Sequence, residues 1–307
     1  MSLARYYAWL SWFQDAARLV GHDTGQHSLT VHRLLAAPDG AVSGDVLHAR
    51  VLDAATAPSE PTASAAIVAV ADRRSPSPPS PSGPVVLDAG CGLGGTTFFL
   101  QARLGGSFHG ITLSPAQCGR ATREASRRGL SDVCTFAVRS YDDPLADLLP
   151  DAADLVVAIE SLAHASDPGA SVARLAALVR PGGRMIVVDD MPESGLAAND
   201  PDFAAFRRGW ACPVVASADA ILSRWHAAGL RLARDEDLTP LMRPRHPQSL
   251  ARLTRLNERA NVVLQFTPAR VLLASLHGGL MLERLYQRRQ MRYRLLAATR
   301  PPSADAS

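Results

Sequence analysis

The 307-residue chain contains no lysine; all 32 of its basic residues are arginine. That excludes Schiff-base chemistry and a lysine general base. With the high alanine content, it reads as coding bias rather than function. Cysteine is also scarce. Cys91, Cys118, Cys134 and Cys212 show no CxxC spacing, so neither a zinc site nor a disulfide framework is expected, no metal is called for, and a reducing cytoplasm is the expected setting. No segment approaches the roughly 18 uninterrupted apolar residues of a spanning helix. The N-terminal MSLARYYAWLSWFQDAARLV is interrupted by Gln14 and Asp15 and lacks a small-residue cleavage site, so it does not read as a signal peptide. With 29 acids against 32 bases the net charge is +3, which gives no support for a nucleic-acid or membrane-surface role.

What the chain does have is alternation. Between residues 84 and 190, PVVLDA, SFHGITL, VCTFAV, ADLVVAIE and GGRMIVVDD read as strands. Helical segments stand between them at 96–104, 114–130 and 168–180. The second helix carries Ser114 as N-cap, Pro115 in its first turn and Gly129 as C-cap. Continuous apolar strands separated by helices predict an α/β fold, a doubly wound, mostly parallel sheet covered on both faces. Ligands in such folds bind beyond the carboxyl ends of the strands.

Outside this block, residues 3–20 read as a helix with Tyr6, Trp9, Leu10 and Phe13 on one face. A short helix is expected at 28–37, ended by Pro38 and Gly40. SPSPPSPSGP (75–84) reads as linker or disordered loop, and AAIVAV (65–70) could be an edge strand. Residues 192–216 read as irregular, 218–230 as a helix, 231–238 as a strand, 248–290 as mostly helical and 291–299 as a final strand. The expected organisation is an N-terminal helical lid (1–52), a Pro/Ser/Ala-rich linker (53–83), a main domain (84–300) with insertions at 192–216 and 240–290, and a disordered tail (301–307).

The stretch VVLDAGCGLGGTTFFL (85–100) raises the functional question. Gly90, Gly92 and Gly95 satisfy the dinucleotide pattern G-x-G-x-x-G. That pattern also wants a ribose-binding acid about 20 residues on, and the second strand ends HGITLS without one. The acid stands instead before the loop: Asp88, two residues ahead of Gly90, can accept from backbone N–H groups and tighten the turn. Glycines let a nucleoside approach the backbone closely.

The order of VVLDAGCGLGGTTFFL, HGITLSPAQCGRA, VVAIESLAHASDP and LVRPGGRMIVVDD resembles the class I S-adenosylmethionine-dependent methyltransferases. It is most similar to the branch of tocopherol, sterol and cyclopropane-fatty-acid type enzymes. The resemblance covers roughly 84–190 and the helix–strand pair at 218–237. It implies a Rossmann-like methyltransferase fold with N-terminal helices and helical insertions covering the acceptor. It implies S-adenosylmethionine as cofactor, held by Asp88, Gly90 and Gly92, with Thr112, Leu113 and Gln117 beside ribose and adenine. VRSYDD departs from the family pattern and places Ser140 where an adenine-binding Asp is common, followed by Tyr141.

After the fourth strand, Glu160 and His164 are the only ionisable side chains in 159–165. The resemblance puts an acid and a histidine in this loop at the active site. Methyl transfer from a sulfonium is an in-line displacement, so the protein must align donor and acceptor and exclude water. His164 is the candidate base; Glu160 could orient it, bind cofactor or steady a cation. Asp189 and Asp190 could reach the same cleft, as could His277 and Tyr286. The arginines at 284, 288, 289 and 292 read as a solvated face or as holders of a diphosphate. Phe203, Phe206 and Trp210 would wall the acceptor space with the N-terminal aromatics.

The expected reaction is methylation of a small, mainly apolar acceptor, with carbon methylation of an isoprenoid or alkene-bearing natural product first. Oxygen or nitrogen methylation of a secondary metabolite is the alternative. A non-catalytic S-adenosylmethionine-binding protein and an NAD-dependent oxidoreductase stay open as further alternatives. Expected partners are the small acceptor and a second copy in a homodimer, with no nucleic acid and no stable membrane insertion.

Overall fold

The computed structural model describes residue 29 and residues 32–57, 83–145, 147–149, 151–267 and 269–302. The expected helix at 3–20, the strand at 65–70, most of the linker and most of the tail lie outside the described residues.

A seven-stranded sheet organises the chain. Its strands are β3 (Val85–Ala89), β4 (Ser107–Thr112), β5 (Cys134–Val138), β6 (Ala153–Ile159), β7 (Val179–Pro192), β8 (Arg231–Asp237) and β9 (Met291–Thr299). They lie in the order β5-β4-β3-β6-β7-β9-β8. The five strands from β5 to β7 pair in parallel, while β9 runs antiparallel to both β7 and β8. Every residue of β6 is buried, as a central strand covered on both faces requires. The helices are α1 (Asp45–Thr56), α2 (Gly95–Leu104), α3 (Pro115–Arg127), α4 (Pro168–Ala177), α5 (Pro201–Gly209), α6 (Ala218–Ala227), α7 (Pro247–Leu264) and α8 (Ala269–Gln287). No helix among the described residues is long and apolar enough to cross a membrane.

Two buried apolar clusters fill the space on the sheet. Trp225 of α6 is fully buried, and its indole N–H points at the Met185 sulfur of β7 at 3.1 Å. Trp225→Ala should lower stability by about 3–5 kcal/mol through cavity formation, readable by denaturant titration; a change under about 1 kcal/mol would show that this face of the sheet is loosely packed.

Three expectations need correction. Residues 32–37 are not helical: β1 (Leu35–Ala36) pairs antiparallel with β2 (Val42–Ser43). Pro38 and Gly40 therefore serve a turn between strands rather than a helix end. The boundary at 52/53 falls inside α1, which continues to Thr56 with Ala54 and Ala55 buried. Arg184 of β7 donates to the carbonyls of Ala54 and Ala57 and so ties the end of α1 to the sheet. Finally, 192–216 is not wholly irregular. It contains α5, where Asp200 accepts from the amides of Asp202 and Phe203 and Pro201 occupies the first turn.

Candidate active site

The carboxyl ends of β3, β4, β6 and β7 open into one cavity of about 730 Å3. That lies within the roughly 300–1,000 Å3 of small-molecule sites. One end is made by the glycine loop and the β4–α3 turn; the other is walled by α5, α8 and the segment around Arg33.

The loop is tightened from inside. Gly90 N and Cys91 N both donate to Ile111 O at 2.9 Å, and Gly94 N donates to Cys91 O. Three of the loop's backbone donors are thus spent on the protein itself. Gly90 sits at φ 95°, and a Cβ there would lie 2.3 Å from the Ser161 Cβ. Gly92, at φ 55°, would meet nothing within 4 Å, so bare backbone faces the cavity. Asp88 is buried behind the loop. It accepts from the Thr97 hydroxyl at 2.6 Å and from the Thr97 amide, and burial pushes its carboxyl up to about 6. It braces the first turn of α2 against the strand and does not line the cavity.

At the β4–α3 turn, Thr112 donates to Gln117 Oε1 at 2.9 Å, leaving the Gln117 amide NH2 for another acceptor. The side chain of Ser114 accepts from Gln117 N at 3.3 Å. Thr112, Leu113, Gln117 and Tyr141 all line the cavity. The Tyr141 hydroxyl donates to Ser161 O at 2.5 Å, and burial raises its pKa. Ser140 does not line the cavity; its hydroxyl accepts from Asp142 N at 3.0 Å in a local turn. The loop, Thr112, Leu113, Gln117 and Tyr141 are thus brought together, while Ser140 and Asp88 stand behind them.

This donor set fits the nucleoside of S-adenosylmethionine. A bare glycine backbone allows close approach, and Gln117 offers an amide to ribose or base.

The opposite end holds opposed charges in close quarters. Glu160 has φ 49°, unusual for a non-glycine residue, and such strain is found where a site over-determines its backbone. Its carboxylate accepts from the Tyr293 hydroxyl at 2.7 Å and from the Arg33 amide at 3.0 Å. The Arg33 guanidinium donates to Asp190 at 2.6 Å. It lies 5.2–5.6 Å from the ring centroids of Tyr293, Tyr286 and Trp210, within cation–π range. Tyr286 donates to the other Asp190 oxygen. Burial opposes the charge on Arg33, but Asp190 and Glu160 more than offset it and raise its pKa. Arg33 Nε is buried without a hydrogen-bond partner.

His164 ends a short 3-10 turn and lines the cavity. Its Nδ1 lies 3.5 Å from Ala211 O, and burial lowers its pKa, so the ring is neutral at neutral pH. Asp189 is pushed up to about 8, first by burial and then by the neighbouring Asp190. The folded protein therefore keeps a proton that the unfolded chain loses near the ordinary carboxylate pKa of 3.8. Asp189 thus costs stability progressively as pH rises from about 4 through about 8. Asp189→Asn should flatten that slope, so that from pH 5 to 9 the wild type loses more unfolding free energy than the variant. Parallel losses would show that Asp189 is already ionised.

Sequence reasoning points to Asp189, Asp190, Tyr286, Phe206 and Trp210 for this cleft, and all five line the cavity. Phe203 is buried in the core and His277 does not line the cavity. Of the arginines entertained for a diphosphate, Arg284 and Arg288 pair with Asp202, Arg288 also with Asp200, and Arg292 with Glu193 and Asp237. Sequence reasoning misses Arg33 and Tyr293.

Residues 87–185 match a family described as a methyltransferase domain. A probable chloroplastic tocopherol O-methyltransferase of Oryza sativa subsp. japonica is 41% identical over 104 residues, 34% of this chain and 28% of the relative. The 27-O-demethylrifamycin SV methyltransferase of Amycolatopsis mediterranei (strain S699) is 30% identical over 184 residues, 59% of this chain and 66% of the relative. The chain thus spans only part of the length of these curated relatives. A structure of a geranyl diphosphate methyltransferase in complex with GPP and sinefungin superposes with a TM-score of 0.62 at 21% identity, covering 88% of this chain and 90% of that one, a likeness of fold. Residues 87–185 are thus a methyltransferase domain, and the chain resembles the class I S-adenosylmethionine-dependent methyltransferases, in sequence the tocopherol O-methyltransferases and in fold a geranyl diphosphate methyltransferase.

Proposed function

We propose that the protein transfers a methyl group from S-adenosylmethionine to a small, mainly apolar acceptor. The observation that carries this reading is a single cavity with bare Gly92 backbone at one end and Glu160, His164 and an aromatic wall at the other. When bound, S-adenosylmethionine supplies an activated methyl on a sulfonium leaving group. Gly90 and Gly92 shape the loop for it, Asp88 braces that loop from behind, and Thr112, Leu113, Gln117 and Tyr141 line its nucleoside space. Ser140 belongs to this reading only as a support of the turn that carries Tyr141. Phe206, Trp210 and Tyr286 bury the acceptor and keep water from it.

Carbon methylation of an isoprenoid or another alkene-bearing molecule is the first reading. Its support is the wall of Tyr293, Tyr286 and Trp210 with Glu160 and Asp190, which already accommodates one cation, the Arg33 guanidinium. A cation developing on an acceptor carbon would be steadied by Glu160, Tyr286 and Trp210, which line the cavity, with Tyr293 buried behind them. Oxygen methylation is the second reading, supported by the neutral His164, which can take a hydroxyl proton at Nε2. Four free thiols support a reducing, cytoplasmic setting.

The test is incubation with S-adenosylmethionine and matched acceptors, alkenes without a hydroxyl and phenols without an alkene, read by mass spectrometry as gain of one methyl group. Gain on the alkenes alone supports carbon methylation; gain on the phenols alone replaces it with the second reading. With phenols, activity should fall as pH drops through the lowered His164 pKa, and His164→Ala should remove that acid limb. An unchanged limb would take His164 out of proton transfer.

A further inference from the structure

The net charge of +3 conceals a strong asymmetry. Residues 243–270 carry six arginines (Arg243, Arg245, Arg252, Arg255, Arg259 and Arg270) and one acid, Glu258. That is +5 on one segment and −2 on everything else. Arg243 is held by the Gly40 carbonyl, and Arg245 is paired with Glu283. Arg252, Arg255, Arg259 and Arg270 have no carboxylate partner among the described residues.

The same segment carries the three most exposed large apolar side chains among the described residues, Phe266, Val263 and Val262. Helix α7 buries Leu250, Thr254 and Asn257, and Asn257 ties it to α8 by donating to Leu273 O at 3.1 Å. Its outer side has no packing partner among the described residues. Leu253, Leu256 and Val263 are exposed on one stripe, at i, i+3 and i+10. Arg252, Arg255, Arg259 and Val262 form the next stripe, about 100° round the helix. At the turn into α8 stands Phe266, 93% exposed, beside Val263 at 76% and Val262 at 69%. A contiguous apolar face of this kind marks a surface that is covered by something.

We infer that the outer face of α7 and its turn into α8 dock on an anionic lipid bilayer surface. Apolar side chains flanked by unpaired arginines along one helix have the composition of an interfacial element. Val262, Val263 and Phe266 enter the headgroup–acyl boundary, and the arginines meet lipid phosphates. A second copy of the chain fits this face poorly. A two-fold dimer through it would set the same positive charge against itself. Leu276 of α8, exposed and ten residues after Phe266, lines the cavity, so α8 links the docking face to the acceptor space. This delivery role rests on the proposed apolar acceptor; the docking itself does not.

The test uses the full chain in flotation assays with vesicles of phosphatidylcholine alone and of phosphatidylcholine with phosphatidylglycerol. Binding is expected to the anionic vesicles, weakening at high salt. Val263→Asp with Phe266→Asp, and separately Arg255→Glu with Arg259→Glu, should each reduce the partition coefficient about tenfold or more. S-adenosylhomocysteine affinity should stay unchanged, showing the variants folded and separating this result from any failure of the methyltransferase reading. Absence of wild-type binding, or variants that bind as well as wild type, would overturn the inference. So would a dimer in light scattering that the Val263→Asp, Phe266→Asp variant breaks, which would assign the face to a second copy.

Discussion

Gly90→Ala should raise the dissociation constant for S-adenosylhomocysteine at least a hundredfold. The added Cβ would lie 2.3 Å from the Ser161 Cβ and 2.9 Å from its Oγ. Ser161 cannot step aside. Its hydroxyl donates to Ala89 O at 2.7 Å, and its carbonyl receives the Tyr141 hydroxyl. Position 90 also holds φ 95°, outside the comfortable range of any residue with a Cβ. The loop, the end of β3 and the β6 turn would have to separate, and the cavity is built on their contact. Gly92→Ala is the informative companion. Its Cβ meets no protein atom, and the left-handed backbone costs about 1–2 kcal/mol. Its melting temperature should fall modestly, while affinity should fall well beyond that cost, because the methyl occupies ligand space. Isothermal titration of both variants gives the answer; Gly92→Ala binding as tightly as wild type would place the nucleoside elsewhere.

Glu160→Gly should separate stability from activity. Glycine relieves the φ 49° backbone, worth about 1 kcal/mol or somewhat more. The substitution removes the acceptor of the Tyr293 hydroxyl and of the Arg33 amide, at about 1 kcal/mol each. The losses exceed the gain by about 1 kcal/mol, so the melting temperature should fall by a few degrees. Turnover should fall at least a hundredfold, because the carboxylate that positions Arg33 and faces the acceptor is gone. Glu160→Gln tests the charge alone: it keeps the acceptor oxygen and should recover stability more than turnover. A Glu160→Gly variant with near-normal turnover would reduce the residue to a strained structural corner.

Much of this site is legible in the chain itself, because its signals are local. Ser114 and Pro115 announce the start of α3, and the Ser114 hydroxyl does cap it. The apolar run from 155 to 159 announces a buried strand, and all seven residues of β6, Asp154 included, are buried. Glu160 and His164 are legible as the ionisable pair that follows that strand. Arg33 is not. Its carboxylate partners lie 127 and 157 residues away, so no spacing pattern links them. Tyr293 likewise sits on a strand whose neighbour in the sheet, β7, is about a hundred residues earlier. The error over 28–37 has a different source. Pro38 and Gly40 end a helix or make a turn equally well, and pairing with Val42–Ser43 decides it. The helix at 201–209 escapes a reading of 192–216 as irregular, although Asp200–Pro201 is an N-cap followed by a first-turn proline, and Phe203, Phe206 and Trp210 fall at i, i+3 and i+7. The apolar tip of α7 is hidden by a whole-chain charge that averages a basic segment against an acidic remainder.

The measurement that tests the central claim most directly is isothermal titration of the intact chain with S-adenosylhomocysteine, with NAD as control and Asp88→Ala in parallel. The account predicts micromolar binding of S-adenosylhomocysteine, no heat with NAD, and a weakened titration in the variant, whose α2 has lost its brace to Thr97. Binding of NAD in its place, or no binding of S-adenosylhomocysteine by the folded wild type, would contradict it and return the glycine loop to a dinucleotide or a purely structural role.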